Sequence, residues 1–211
     1  MKFKLKTTYK PTGDQLKVSK QFFIMLVGFS QSGKSTLAKK IEKKFPAIFT
    51  RIDSDSIHDF LNKNYSVFQD DQTIKGKSFN LRQNVTAAIK KILIRELISH
   101  GQSVILDSCN LSKVNRQKIL KLVKKLKKKI ITIIIFVNIS KSVLYANLLK
   151  ADQKKKTGGE KPVWVDLHEK VQKDKIDKPN KNEAGYLLIY NYPKEKSVLK
   201  QLRKIILKNE I

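Results

Sequence analysis

Eight consecutive residues, Gly28-Phe29-Ser30-Gln31-Ser32-Gly33-Lys34-Ser35, fit the pattern G-x-x-x-x-G-K-[ST] at every fixed position. The glycines let the backbone curl until successive N–H groups face a common centre, an anion nest at the start of a helix. Lys34 is placed to reach the β- and γ-phosphates of a bound nucleoside triphosphate, and the Ser35 hydroxyl to complete the shell of a Mg²⁺ ion. Acidic positions carry the rest. Asp53-Ser54-Asp55 closes a largely apolar run, so these carboxylates are expected at the carboxyl edge of a sheet, near the phosphates. A carboxylate there can orient an acceptor hydroxyl, or take its proton, while the γ-phosphoryl group moves. Asp55 can also cap a helix Ser56–Leu61, and the two roles are compatible. Asp107 follows Val104-Ile105-Leu106, a position from which an acid holds Mg²⁺ through water or orients Ser35.

These residues need elements to hold them. Phe22–Val27 reads as a buried strand that runs straight into the loop. Leu37, Ile41 and Phe45 recur at helical spacing across Thr36–Lys44, and the helix stops before Pro46. Ala47–Ile52 is the next strand, and Leu81–His100 an amphipathic helix ended by Gly101. Strands are expected at Ser103–Leu106, Ile130–Val137 and Tyr186–Tyr190, and helices at Ser112–Lys128, Ser140–Lys150, Val163–Lys173 and Glu195–Lys208. Ala151–Lys161 reads as a polar, flexible stretch. Strands alternating with helices of this length predict an α/β doubly wound sheet, mostly parallel.

Taken in order and spacing, four groups of residues resemble one family. They are Gly28–Thr36; Asp55-Ser56-Ile57-His58; Val104–Asp107 with Asn110 and Arg116; and Asp177-Lys178-Pro179 with Glu183-Ala184-Gly185-Tyr186. The family is that of the P-loop kinases, which includes polynucleotide 5′-hydroxyl kinases and zeta-toxin-like kinases, and the likeness runs from about Phe22 to Tyr190. It implies a P-loop NTPase three-layer sandwich over residues 22–211, with a mostly parallel five-stranded sheet and a basic lid near residues 150–162. It also implies ATP and Mg²⁺, with Gly28 through Thr36 (Phe29, Ser30, Gln31, Ser32 and Gly33 included) on the nucleotide. Lys34 and Asp55 would be catalytic, and Ser35 with Asp107 would serve the metal. His58, Arg82 and Arg116, with the lid lysines Lys154, Lys155 and Lys156, would serve acceptor and lid. Two departures stand out. Polynucleotide kinases usually carry D-x-x-R where this chain ends in His58, so Arg82 or a lysine takes the arginine's place, or the acceptor carries no phosphate there. The lid offers lysines where relatives present arginines, and a lysine cannot form the planar fork.

A smaller resemblance covers residues 3–15, which are similar to the adenine-reading N-terminal motif of the excision-repair helicase subunit UvrB. It implies that Tyr9 stacks on adenine and that the Gln15 amide reads its edge, within an N-terminal basic arm over residues 1–21.

Composition bounds the partners. Lys+Arg outnumber Asp+Glu by 45 to 18, a formal charge of +27 that fits a polyanion partner such as DNA or RNA. Only five of those cations are arginines (Arg51, Arg82, Arg95, Arg116, Arg203), so a lysine-rich drift of composition explains the charge equally well. One cysteine, Cys109, excludes a disulfide framework within the chain, and no disulfide-linked partner is expected. The apolar runs are too short to span a bilayer and no leader is evident, so a cytoplasmic protein without membrane contact is expected. The expected activity is ATP/Mg²⁺-dependent transfer of a γ-phosphoryl group to a hydroxyl, with a nucleic-acid 5′-hydroxyl as favoured acceptor. The alternatives are a small-molecule or nucleotide-sugar kinase of the same fold, and a nucleic-acid-associated ATPase module without kinase activity.

Overall fold

A computed structural model describes residues 20–68, 76–157 and 163–209. Five strands, β1 (Phe22–Val27), β2 (Phe49–Asp53), β3 (Ser103–Asp107), β4 (Ile131–Asn138) and β5 (Tyr186–Asn191), form one sheet in the order β2-β3-β1-β4-β5. Every strand pairing is parallel, as the alternation of elements predicts. The helices are α1 (Lys34–Lys44), α2 (Ser54–Asn64), α3 (Lys77–Ser99), α4 (Lys113–Leu126), α5 (Lys141–Thr157), α6 (Trp164–Leu167) and α7 (Glu195–Lys208). A 3-10 turn, Ser66–Phe68, and a π-helical turn, His168–Gln172, complete the described elements.

The central strand shows why the apolar runs matter. All six residues of β1 are inaccessible to solvent, and alternate side chains enter opposite layers. Phe22, Ile24 and Leu26 pack with Leu37 and Ile41 of α1 and Leu202 and Ile206 of α7. Phe23, Met25 and Val27 pack with Ile94 and Ile98 of α3 and Leu120 and Val123 of α4. Helix, sheet and helix therefore form three layers. The chain leaves β1 toward one layer and β3 toward the other, so a crevice opens between their carboxyl ends, where ligands of such sheets bind.

Two segments differ from expectation. The helix expected to end at Lys150 runs on to Thr157, so Lys154, Lys155 and Lys156 stand on a helix and not in a flexible stretch. The reason is tertiary: the buried Asp152 carboxylate accepts from the backbone N–H groups of Val163, Trp164 and Val165 at 2.8, 2.8 and 3.0 Å, which fixes the last turns of α5. Arg116 also departs from its expected substrate or lid role. It is fully buried, donates to both Glu183 carboxylate oxygens at 2.8 and 3.0 Å, and donates to the carbonyls of Asn110 and Leu111. Its guanidinium is committed to the fold, pinning the loop after β3. Burial works against an ionised Glu183, but hydrogen bonds from Arg116 and from the Asn180 backbone outweigh it and hold the carboxyl below its usual range. Glu183→Ala strands this buried cation and is expected to lower unfolding stability by about 3–5 kcal/mol, readable in urea melts. A loss below about 1 kcal/mol, the scale of an exposed ion pair, would mean that the pair is solvated in solution.

Candidate active site

The loop after β1 leads directly into α1. α2 is capped by the Asp53 side chain and α4 by that of Ser112, whereas α1 has no side-chain cap and no acid in its first turn. Its first N–H groups therefore keep their hydrogen-bonding capacity and the positive end of the dipole. Gly33, at φ 95°, starts the helix from the left-handed region, and a Cβ there would fall 2.9 Å from the Tyr192 ring. The Lys34 ammonium turns back to donate to the Phe29 carbonyl of its own loop. Among the described residues Ser35 and Thr36 make no side-chain hydrogen bond, and the buried Ser32 hydroxyl has no partner.

The rest of the loop is held from outside. Gly28 N–H donates to the Cys109 carbonyl at 3.0 Å, which joins the loop to the segment after β3. Gln172 grips Ser30 twice, accepting from its backbone N–H at 3.0 Å and donating to its hydroxyl at 2.8 Å. Asn147 of α5 donates to the Gln31 carbonyl at 3.1 Å, and the Phe29 ring meets His168 edge-on at 4.9 Å. None of the three holding residues stood out in the sequence.

The acidic residues divide their labour. Asp53 caps α2, accepting from Asp55 N–H at 3.1 Å and from the Ser56 hydroxyl at 2.8 Å, so the cap expected of Asp55 belongs to its neighbour. The Asp55 carboxylate has no hydrogen bond or ion pair among the described residues. The residue is exposed to solvent at the start of α2. Burial, then repulsion from Asp53, raises its pKa against the pull of Lys34; Asp107 and Asp59 add to the rise. Asp107 is buried at the end of β3 and accepts from Arg51 at 3.0 Å.

His58 lies one turn along α2 from Asp55, its Nδ1 3.2 Å from the buried Thr86 hydroxyl. Burial, then the cations Arg82 and Lys90, pushes its pKa down to about 4, so the ring is neutral at pH 7. That neutral form stabilises the fold fully above the unfolded value near 6.5 and loses its effect as the pH falls toward 4. His58→Gln is expected to flatten part of the stability loss between pH 7 and 5 in urea melts; an unchanged slope would place the ring in solvent. Arg82 donates to Asn62 at 2.8 Å, and its guanidinium lies over Phe79. Lys90, unread in the sequence, donates to the Ser108 hydroxyl at 3.2 Å, and burial lowers its pKa while Cys109 and Asp55 draw it back up. The signal was there: Arg82, Thr86 and Lys90 share one face at i, i+4 and i+8. Lys155 lies over the Trp164 ring at the root of the expected lid. Tyr9 and Gln15 lie outside the described residues.

A family profile described as an AAA domain (AAA_33) matches residues 23–173. No curated protein matches the chain. Among solved structures, a candidate kinase from Chloroflexus aurantiacus superposes with a TM-score of 0.66 at 15% identity, over 93% of this chain and 100% of that one. Chaetomium thermophilum Kti12, solved with ADP-AlF3, gives 0.61 at 15% identity over 90% and 99%. A fungal RNA kinase gives 0.57 at 15% identity over 91% and 87%.

Proposed function

The chain belongs to the AAA domain family (AAA_33), and on that footing we propose that it transfers the γ-phosphoryl group of ATP to a hydroxyl, with a nucleic-acid 5′-hydroxyl as acceptor. The observation that carries the reading is Asp55: a carboxylate with a raised pKa and no partner among the described residues, within electrostatic reach of Lys34 in a P-loop kinase fold. The uncapped start of α1 receives the phosphates. Lys34 exchanges the Phe29 carbonyl for phosphate oxygens and meets the charge that builds as the γ-phosphoryl group leaves. Asp55 orients the acceptor hydroxyl and takes its proton as the oxygen–phosphorus bond forms and the bond to the β-phosphate oxygen breaks, releasing ADP.

The residues fit Mg²⁺. Among the described residues no group of three or more acids, histidines or cysteines forms a metal cage. Mg²⁺ needs no such cage, because it keeps waters and takes one or two protein oxygens plus phosphate. The Ser35 hydroxyl, unbonded among the described residues, and Asp107 are the residues that would hold it, and the ion would supply neutralisation of phosphate charge. The neutral His58 offers a hydrogen bond where an arginine would offer charge, so Arg82 and Lys90 are the cations left for an acceptor phosphate. The nucleic-acid acceptor is supported by the +27 charge and the likeness to an RNA kinase. The test offers γ-labelled ATP and Mg²⁺ with 5′-hydroxyl DNA and RNA oligonucleotides, nucleosides and small alcohols. Label on an oligonucleotide end is expected. Label only on a small alcohol would replace the acceptor, and phosphate release without label on any acceptor would favour an ATPase module.

A further inference from the structure

Asp107, the carboxylate assigned above to the metal, already holds a cation. Arg51 Nη1 donates to its Oδ2 at 3.0 Å, lies 3.4 Å from Asp53 Oδ2, and the same guanidinium's Nε lies 3.2 Å from Glu42 Oε2. The register of β2 on β3 sets Asp53 opposite Asp107, two acids side by side on neighbouring strands. Arg51, two residues before Asp53 and on the same face of β2, places its planar fork between them. The Asp107 side chain is 1% exposed, so with Arg51 removed it is a buried anion without this partner.

We propose that Arg51 is an internal cation that occupies the metal's carboxylate in the nucleotide-free protein, so that the divalent ion enters with the triphosphate and not ahead of it. The inference rests on Asp107 as the metal's residue. Release is feasible because Arg51 leaves Asp107 without becoming unpaired: Glu42 and Asp53 still hold it. Its side chain also borders a cleft of about 390 Å³, lined with Asp53, Ser56, Ile57 and Phe60, which gives it room to swing. Arg51 is thus a positioning residue, acting on the metal through Asp107.

Mn²⁺ binding followed by electron paramagnetic resonance on the full chain tests this without any turnover. Nucleotide-free wild type is expected to bind Mn²⁺ weakly and Arg51→Gln roughly tenfold more tightly, the size of one charge-assisted contact. Adding Asp107→Asn to Arg51→Gln should return the affinity to the wild-type level. Arg51→Lys keeps a charge for folding but loses the fork, and should give a smaller rise if Arg51→Gln loses its cooperative melt. No rise in either variant, while Asp107→Asn weakens Mn²⁺ binding to the ATP complex, overturns the role of Arg51 alone. Unchanged Mn²⁺ affinity of the Asp107→Asn ATP complex overturns the metal assignment and this inference with it.

Discussion

Lys34→Met lowers phosphotransfer by about 10³-fold or more while leaving the thermal melt close to wild type. Methionine keeps the buried stem that packs beneath the loop and removes only the ammonium. In the nucleotide-free protein that ammonium has a local partner, the Phe29 carbonyl, so its loss costs the fold little beyond one hydrogen bond. In the reaction it meets negative charge that grows toward the transition state, where a fixed cation in a water-poor site acts most strongly. Initial rates of label transfer, with a calorimetric melt as control, decide the matter. A Lys34→Met protein within about threefold of wild type, far from the usual cost of losing such a group, would remove Lys34 from the chemistry.

Asp55→Asn is the second large effect, a fall of about 10²-fold or more in turnover with ATP affinity unchanged. Asparagine keeps the shape and cannot take a proton. The pH profile supplies the signature. Because the Asp55 pKa is raised, the protonated, inactive form persists to higher pH than for an ordinary carboxylate. The wild-type rate should therefore fall with decreasing pH along an acid limb set above the usual aspartate value, and Asp55→Asn should lose that limb. Asp53→Asn is the comparison, since Asp53 is spent on the α2 cap and asparagine, an equally good cap, keeps that role while removing the carboxylate. If Asp53→Asn erased the limb and Asp55→Asn did not, the proton acceptor would be Asp53.

The loop and its sheet were legible because their signals are local. Phe22–Val27 is apolar at every position because both of its faces are covered, and the glycines and lysine of the loop sit at fixed spacing. What escaped depends on partners far along the chain. Asp152 extends α5 by binding amides eleven to thirteen residues away. Arg116 looked available to a substrate until Glu183, 67 residues on, closed around it. The sequence offered Asp55 as the cap of α2, and only the turn into the helix shows that Asp53 takes it. The spacing of Lys90 from Arg82 and Thr86 showed a shared face, but only α3 laid against α2 and the Ser108 segment showed what that face meets.

Gln172, His168 and Asn147 come from the connection between β4 and β5, more than a hundred residues along the chain, yet they hold the loop that follows β1. The consequence is one of wiring. The eight-residue motif does not own its conformation alone; α5, which also carries the three clustered lysines, and the π-helical turn share in it. One side chain, Gln172, ties that turn to Ser30 through both its amide oxygen and its amide nitrogen, so a shift of the turn is expected to carry the loop with it. Transplanted into another strand and helix without α5 and that turn, the same eight residues would be a softer cradle.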